Sequence, residues 1–231
     1  MINTVLFDLD GVLVDACDFH YNALNRALKE VTGLQISRSE HISTYNGLPT
    51  VKKLNIFQHE MDLFLDESTV CRIKSLKNKY TDEYIDTINT DFEKMRLMQI
   101  LYNRKCKIGC VSNSIRKTVD TILKNLGIIE FFNVIISNED CDYTKPDPFP
   151  YLIAMKKLSA EKQNTLIVED SPVGVSAAKH SNAHVLEVRN ALDVTTPIIL
   201  STIYEINKNS SFDFNSFRKA KDVIDFINCK I

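Results

Sequence analysis

Hydrophobic residues follow two spacings along this chain, and the change from one to the other divides it. Val5, Leu6 and Phe7 form a short continuous apolar run that meets a turn at Gly11, which predicts a buried strand. Ala23, Leu24, Ala27, Leu28 and Val31 then recur at helical intervals over residues 19–31, and Gly33 supplies the stop. Across residues 37–89 the spacing stays helical. Leu54, Phe57, Met61, Phe64 and Leu65 fit one apolar face, and Ile73, Leu76, Tyr80, Tyr84 and Ile88 fit another. Beyond Phe92 the two periods alternate. A helix carrying Met95, Leu97, Met98 and Leu101 leads to a strand at 107–111, a helix at 115–126 closed by Gly127, and a strand at 134–137. A helix at 151–158, a strand at 165–168, a helix at 173–180, a strand at 183–188 and a last helix at 214–227 complete the order.

Strands that alternate with helices predict an α/β fold: a Rossmann-like parallel sheet with helices on both faces. Such a sheet binds ligands beyond the carboxyl ends of its strands. The helical block after the first strand is far longer than the dozen or so residues a crossover needs. It predicts an inserted α-helical cap at residues 16–90, on a core made of residues 1–15 and 91–231.

Composition narrows the class of function. A chain of 231 residues buries one substantial core, or one core and a modest second domain. Its 28 basic and 30 acidic side chains leave a formal charge of −2, which is no footprint for nucleic acid or a membrane surface. Cys17, Cys71, Cys106, Cys110, Cys141 and Cys229 show no paired spacing. Cys106 and Cys110 flank a predicted strand with no second ligand pair, so reduced thiols are expected rather than a zinc site. The apolar run at Val5 is broken at once by Asp8, unlike a signal peptide, and no stretch approaches the ~20 apolar residues of a membrane span. The expectation is a cytoplasmic protein, monomeric or weakly dimeric.

Four segments at predicted strand ends carry chemistry. In the first, Asp8 and Asp10 lie two apart on a strand, so both carboxylates can face one spot before the turn at Gly11. Two like charges so close are costly unless a cation lies between them. In the second, Ser112, Asn113 and Ser114 offer hydroxyls and backbone N–H groups suited to phosphate oxygens, although the same residues suit a helix start, with Ser114 as its cap. In the third, Lys145 precedes Pro146, Asp147 and Pro148, a cation for neutralising a transferring phosphoryl group or an ordinary solvated lysine. In the fourth, Glu169 and Asp170 precede Ser171, Pro172 and Gly174, as metal ligands or as acids favoured by a helix dipole. Each bland reading stands alone, but four strand ends of one parallel sheet converge in space.

The run from Phe7 through Asp8, Asp10 and Gly11 to Asp15 resembles the first signature of the haloacid dehalogenase superfamily. Ser112, Lys145 with its Pro146-Asp147-Pro148, and Glu169-Asp170-Ser171 resemble the second, third and fourth signatures in order. The helical insert resembles the branch with a small α-helical cap, which includes β-phosphoglucomutase and many sugar-phosphate phosphatases. This resemblance implies an enzyme, a phosphatase acting on a small phosphorylated metabolite. It implies Asp8 as the nucleophile that forms an aspartyl phosphate and Asp10 as general acid and base. It implies Mg²⁺ held by Asp8, the Asp10 carbonyl, Asp170 and Glu169, the last directly or through water. Ser112 and the Asn113 backbone are implied to bind phosphoryl oxygens, and Lys145 to neutralise them.

The cap chooses the substrate, and two readings remain there. His20 and Lys77 lie near positions where β-phosphoglucomutase handles a sugar phosphate, but phosphatases of the branch carry such a histidine too. The loop from Asn46 to Thr50 has no arginine to grip a second phosphate; Lys52 or Lys53 is a substitute or a solvated helix residue. Arg116 either reaches a distal phosphate or covers a helix start. A hydrolase is therefore preferred to a phosphosugar mutase. A non-catalytic binding module is the remaining alternative, and it is disfavoured because every catalytic carboxylate is present.

Overall fold

A computed structural model describes residues 1–210, so the helix expected over residues 214–227 lies outside the described residues. Five strands form one parallel sheet: β1 (Thr4–Phe7), β2 (Lys107–Val111), β3 (Val134–Ile136), β4 (Thr165–Glu169) and β5 (His184–Glu187). Their spatial order is β3-β2-β1-β4-β5, which puts the first strand at the centre between β2 and β4. Strand alternation divides the sheet's side chains between two cores. Val5, Phe7, Ile108, Cys110, Leu166 and Val168 join one cluster, while Leu6, Val111, Ile136 and Ile167 join the other. Helices α5 (Phe92–Asn103), α6 (Arg116–Asn125) and α9 (Thr196–Ser210) cover the first face; α7 (Phe149–Lys157) and α8 (Pro172–His180) cover the second. Burial on both faces explains why these strands read as continuous apolar runs.

Between β1 and α5 the described chain is helical. It comprises α1 (Cys17–Thr32), the single turn α2 (Arg38–Glu40) with a π-helical turn at His41–Tyr45, α3 (Thr50–Glu60) and α4 (Glu67–Ile85). These helices share a core of their own, with Leu24, Leu28, Tyr45, Leu54, Phe57, Ile73 and Tyr80 buried together. Phe64 departs from the expected face: α3 ends at Glu60, and Phe64 in the connection beyond it stands 90% exposed. Helix α9 is an element that the sequence pattern did not predict. Its β-branched stretch around Ile198 and Ile199 fits strand and helix alike, and the Thr196-Pro197 start is the signal that favours a helix.

Two glycines let the strand ends close on one another. Gly11 has φ +89°, and a Cβ there would lie 2.0 Å from Asp170 Oδ2. At Gly174, on the first turn of α8, a Cβ would lie 1.9 Å from Glu169 Oε1. Both acidic side chains therefore occupy space that only glycine leaves. Gly11→Ala combines a left-handed backbone with that clash, so it should destabilise the protein by about 1–3 kcal/mol. Urea unfolding of the metal-free protein reads this directly; an unchanged midpoint would mean that Asp170 swings clear at no cost.

Candidate active site

Because β1 and β4 pair in register, with Phe7 opposite Val168, the residues that follow them emerge side by side. The Asp8 N–H donates to the Val168 carbonyl at 3.0 Å, extending that pairing by one residue. Asp8, Glu169 and Asp170 thereby each bring a carboxylate oxygen within 4.8 Å of the others. Lys145 enters this cluster from the loop after β3. Its Nζ donates to Asp8 Oδ1 and to Glu169 Oε1, each at 2.6 Å, and to the Val111 carbonyl at 2.8 Å. All three ammonium protons are thus used, in a place where Lys145 is 2% exposed. Tyr151, on α7, donates its hydroxyl to Glu169 Oε1 at 2.6 Å.

Burial and like charge set the acid–base state of this cluster. Burial raises the Asp8 carboxyl well above the usual range; Lys145 opposes the shift, and the charges of Glu169, Asp170 and Asp10 add to it. Burial also lifts Asp170 to about 7, helped by the charges of Glu169 and Asp10. Although burial works against its charge, Asp8 and Glu169 hold the Lys145 ammonium above its usual value. Asp170 Oδ1 is buried and has no hydrogen-bond partner. An orphaned oxygen amid crowded carboxylates fits a hard divalent cation, which takes oxygen ligands and offsets like charge.

Asp10 has the opposite setting. Its carboxylate turns away from the cluster, with Oδ1 3.1 Å from His20 Nε2 and Oδ2 accepting the Ser114 hydroxyl at 3.0 Å. Burial alone would raise Asp10, but the charge and hydrogen bond of His20, the Ser114 hydroxyl and the charge of Lys77 outweigh it and hold it at about 2. Burial pushes His20 below its usual value, with Asp10 pulling the other way.

The remaining predicted residues fall into two groups. Ser112 is buried at the end of β2, and its Oγ accepts the Ser114 N–H at 3.0 Å. His20, Lys77, Asn113 and Lys145 line one cavity with Asp8 and Asp10. Arg116 does not line it: its guanidinium donates to Asp140 Oδ2 at 2.5 Å and to the Ile135 carbonyl at 2.8 Å, beside the start of α6. Ser114 is not the cap of α6 either. Ile115 holds that position without a side-chain bond, because the Ser114 hydroxyl is directed at Asp10. Of the two adjacent lysines, Lys52 donates to the Thr144 hydroxyl at 3.1 Å, whereas Lys53 lines the cavity.

Residue reasoning missed Tyr151 and the side chain of Asn113. Tyr151 carries no signal beyond the apolar face of its helix. Asn113 Nδ2 donates to the Gly47 carbonyl at 2.8 Å, and its Oδ1 accepts the Lys145 N–H at 3.1 Å. One amide thus ties the loop before α3 to the backbone of Lys145. Asn113→Asp keeps the acceptor for the Lys145 N–H and removes the donor, so the bond to the Gly47 carbonyl is lost together with a longer one, 3.3 Å, to the Lys145 carbonyl. Loss of one partly buried hydrogen bond costs about 1–2 kcal/mol. Hydrogen exchange in the segment 41–53 should therefore quicken by about tenfold, and equal protection in both proteins would show that the tie carries no energy.

The chain matches the family model described as haloacid dehalogenase-like hydrolase over residues 5–188. A pyrophosphatase PpaX of Oceanobacillus iheyensis is 31% identical over 195 residues, which cover 84% of this chain and 86% of that protein. A crystal structure of β-phosphoglucomutase from Clostridium difficile superposes with a TM-score of 0.80 at 25% identity, covering 91% of this chain and 99% of that one. The structure of CbbY from Rhodobacter sphaeroides in complex with phosphate shares the fold, with a TM-score of 0.71, 19% identity, and 80% and 85% of the two chains covered. A sheet whose strand ends bear four ordered acidic, hydroxyl and lysine segments, matched over most of its length, makes this chain a member of the haloacid dehalogenase-like hydrolase family.

Proposed function

We propose that this protein is a Mg²⁺-dependent phosphatase that hydrolyses a small phosphorylated metabolite, a sugar phosphate or a compound of like size, through an aspartyl phosphate on Asp8. The observation that carries this reading is the contrast between two neighbouring aspartates. Asp8 is crowded by acids and neutralised by Lys145, while Asp10 is stabilised as an anion by His20 and Ser114. Environments that separate two carboxyl groups in this way assign them different parts in one reaction.

In the first half-reaction an Asp8 oxygen attacks phosphorus, the bond from phosphorus to the leaving oxygen breaks, and Asp10 gives that oxygen a proton. Asp10 is ionised in the free protein; a phosphate dianion beside it raises its proton affinity before that step. In the second half-reaction water attacks the aspartyl phosphate and yields its proton to Asp10. The bond from phosphorus to Asp8 then breaks, which frees phosphate and restores Asp8. Ser112 and the Asn113 N–H bind phosphoryl oxygens, and Lys145 neutralises charge on Asp8 as the phosphoryl group transfers. Asp8, Glu169, Asp170 and the Asp10 carbonyl would hold Mg²⁺, which supplies further charge neutralisation at the phosphoryl group. The helical layer, residues 16–90, acts as the cap that closes the cavity.

A second reading has one observation in its favour. The Asn113–Gly47 bond holds the cap loop on the core, and a closed cap excludes water. With water excluded, a sugar hydroxyl can take the phosphoryl group instead, as in a phosphosugar mutase. Phosphorus NMR of β-glucose 1-phosphate with Mg²⁺ and a trace of glucose 1,6-bisphosphate separates the two: free phosphate supports the hydrolase, and glucose 6-phosphate without free phosphate supports the mutase.

Asp8→Asn should lower turnover of an aryl phosphate by about a thousandfold or more while far-UV circular dichroism stays unchanged, because the amide is nearly isosteric but a poor nucleophile. Retention of about a tenth of the rate would remove Asp8 from this part. Cation binding should also depend on pH. Asp170, raised to about 7, keeps its proton below that pH, and a bound cation must displace it. Affinity for Mg²⁺ should therefore climb by up to about tenfold per pH unit from about pH 5 to 7 and level off above. Calorimetry in two buffers of different ionisation enthalpy would detect the released proton, and a flat profile below pH 7 contradicts the assignment of Asp170.

A further inference from the structure

The first turn of α7 carries a buried hydroxyl that its packing does not need. Tyr151 follows Lys145 on the same segment and is 0% exposed. Its ring shares a core with Ala154, Met155 and Leu158 of its own helix. Phenylalanine would fill that place as well, and a buried hydroxyl is costly unless it is bonded. The bond here goes to Glu169 Oε1 at 2.6 Å, the oxygen to which Lys145 Nζ also donates at 2.6 Å. The Lys145 ammonium stands 4.8 Å from the centre of the Tyr151 ring. One side chain therefore backs the lysine with its ring and shares the lysine's acceptor with its hydroxyl.

The bonds of Lys145 single out that oxygen. All three ammonium protons are in use, on Asp8 Oδ1, Glu169 Oε1 and the Val111 carbonyl. A phosphoryl oxygen that arrives beside Asp8 needs one of them, so one acceptor has to be released. Among the described residues no other side chain donates to Asp8 Oδ1 or to the Val111 carbonyl, whereas Glu169 Oε1 keeps the Tyr151 hydroxyl. Glu169 is 0% exposed, so water does not replace a donor lost there. Its second oxygen accepts the Asp170 N–H at 3.1 Å, and a Cβ at Gly174 would lie 2.1 Å from it. The carboxylate is thus held from both ends and stays in place when the lysine turns.

We propose that Tyr151 is a positioning residue for the transfer step: its hydroxyl holds Glu169 Oε1 while Lys145 turns one N–H from that oxygen to a transferring phosphoryl oxygen. One N–H···O bond is exchanged for another, and no proton is transferred. Lys145 keeps its bond to Asp8 throughout. The proposal rests on the phosphatase reading only for the phosphoryl group that Lys145 meets. Without the hydroxyl, Glu169 Oε1 depends on Lys145 alone, and a buried anion holds its partner cation tightly. The lysine then turns less readily. That loss falls on the transition state and spares the bound ground state.

The test is Tyr151→Phe, which keeps the ring and removes the hydroxyl alone. With Mg²⁺ present, kcat for an aryl phosphate should fall by about tenfold, the size of one charge-assisted hydrogen bond, while KM stays within about twofold. Calorimetric binding reads the same contrast without any turnover. Orthovanadate adopts the five-coordinate geometry of a phosphoryl group in transfer, and its dissociation constant should rise by about tenfold. That of inorganic phosphate should rise by about twofold or less. A tyrosine that serves stability alone would lower the urea midpoint and leave the ratio of the two dissociation constants as in the wild type, which would overturn the proposal. So would a higher KM at unchanged kcat, or a wild-type protein that binds neither oxyanion. If the wild-type protein turns over no aryl phosphate, the phosphatase reading fails, and the ratio of dissociation constants still decides the part of Tyr151.

Discussion

Lys145 sits where three strands end, and its ammonium joins Asp8, Glu169 and the Val111 carbonyl, which belong to the ends of β1, β4 and β2. A buried lysine is stable only when its charge is paired and its protons are bonded, and these three acceptors meet both demands at once. The reverse also holds. Asp8 and Glu169 are buried within reach of one another, and without the cation between them their like charges would stand unopposed. The sheet's register, the two glycines that leave room for Glu169 and Asp170, and the Tyr151 hydroxyl all serve to bring these groups together. The site is thus a charge balance built on the edge of a rigid sheet.

The helical layer between β1 and α5 adds a second charge balance of opposite sign. On the core side acids outnumber cations, and the orphaned Asp170 oxygen is suited to a metal ion. On the cap side two lysines and His20 face a single carboxylate, Asp10. The cavity between them is polarised, acidic at the sheet and basic at the helices. The basic side lacks negative charge, and the acidic side lacks positive charge. Asn113 joins the two sides, since its single amide touches both the loop before α3 and the Lys145 backbone.

Much of the core was legible before the structure because a strand covered on both faces must be apolar throughout. The strand expected over residues 107–111 is found at Lys107–Val111, and the helix stops at Gly33 and Gly127 lie where the pattern placed them. Helix α9 was not predicted, since Ile198 and Ile199 favour strand as readily as helix and the Thr196-Pro197 start is the one local sign of a helix. Phe64 was misread for a related reason: spacing assumes that the helix continues, and α3 had already ended. Asp8, Asp10, Glu169 and Asp170 stood out because charged residues at the ends of apolar strands must share one edge of the sheet, and Lys145, in the loop after β3, through its resemblance to the third family signature.

What the sequence alone determined was which groups a parallel sheet would gather at its carboxyl edge, since strand order and alternation are local patterns with a nearly forced outcome. It could not determine how those groups are paired. Ser114 reads as a helix cap until Asp10 is seen beside it, and Arg116 keeps two readings until its bond to Asp140 is seen. Lys52 and Lys53 are indistinguishable as neighbours in a chain, yet one reaches Thr144 across the surface and the other is buried in the cavity. Those assignments depend on contacts between residues far apart in the chain. Only the packing of the helical layer against the sheet sets which partner lies within hydrogen-bonding reach, so only the tertiary structure decided them.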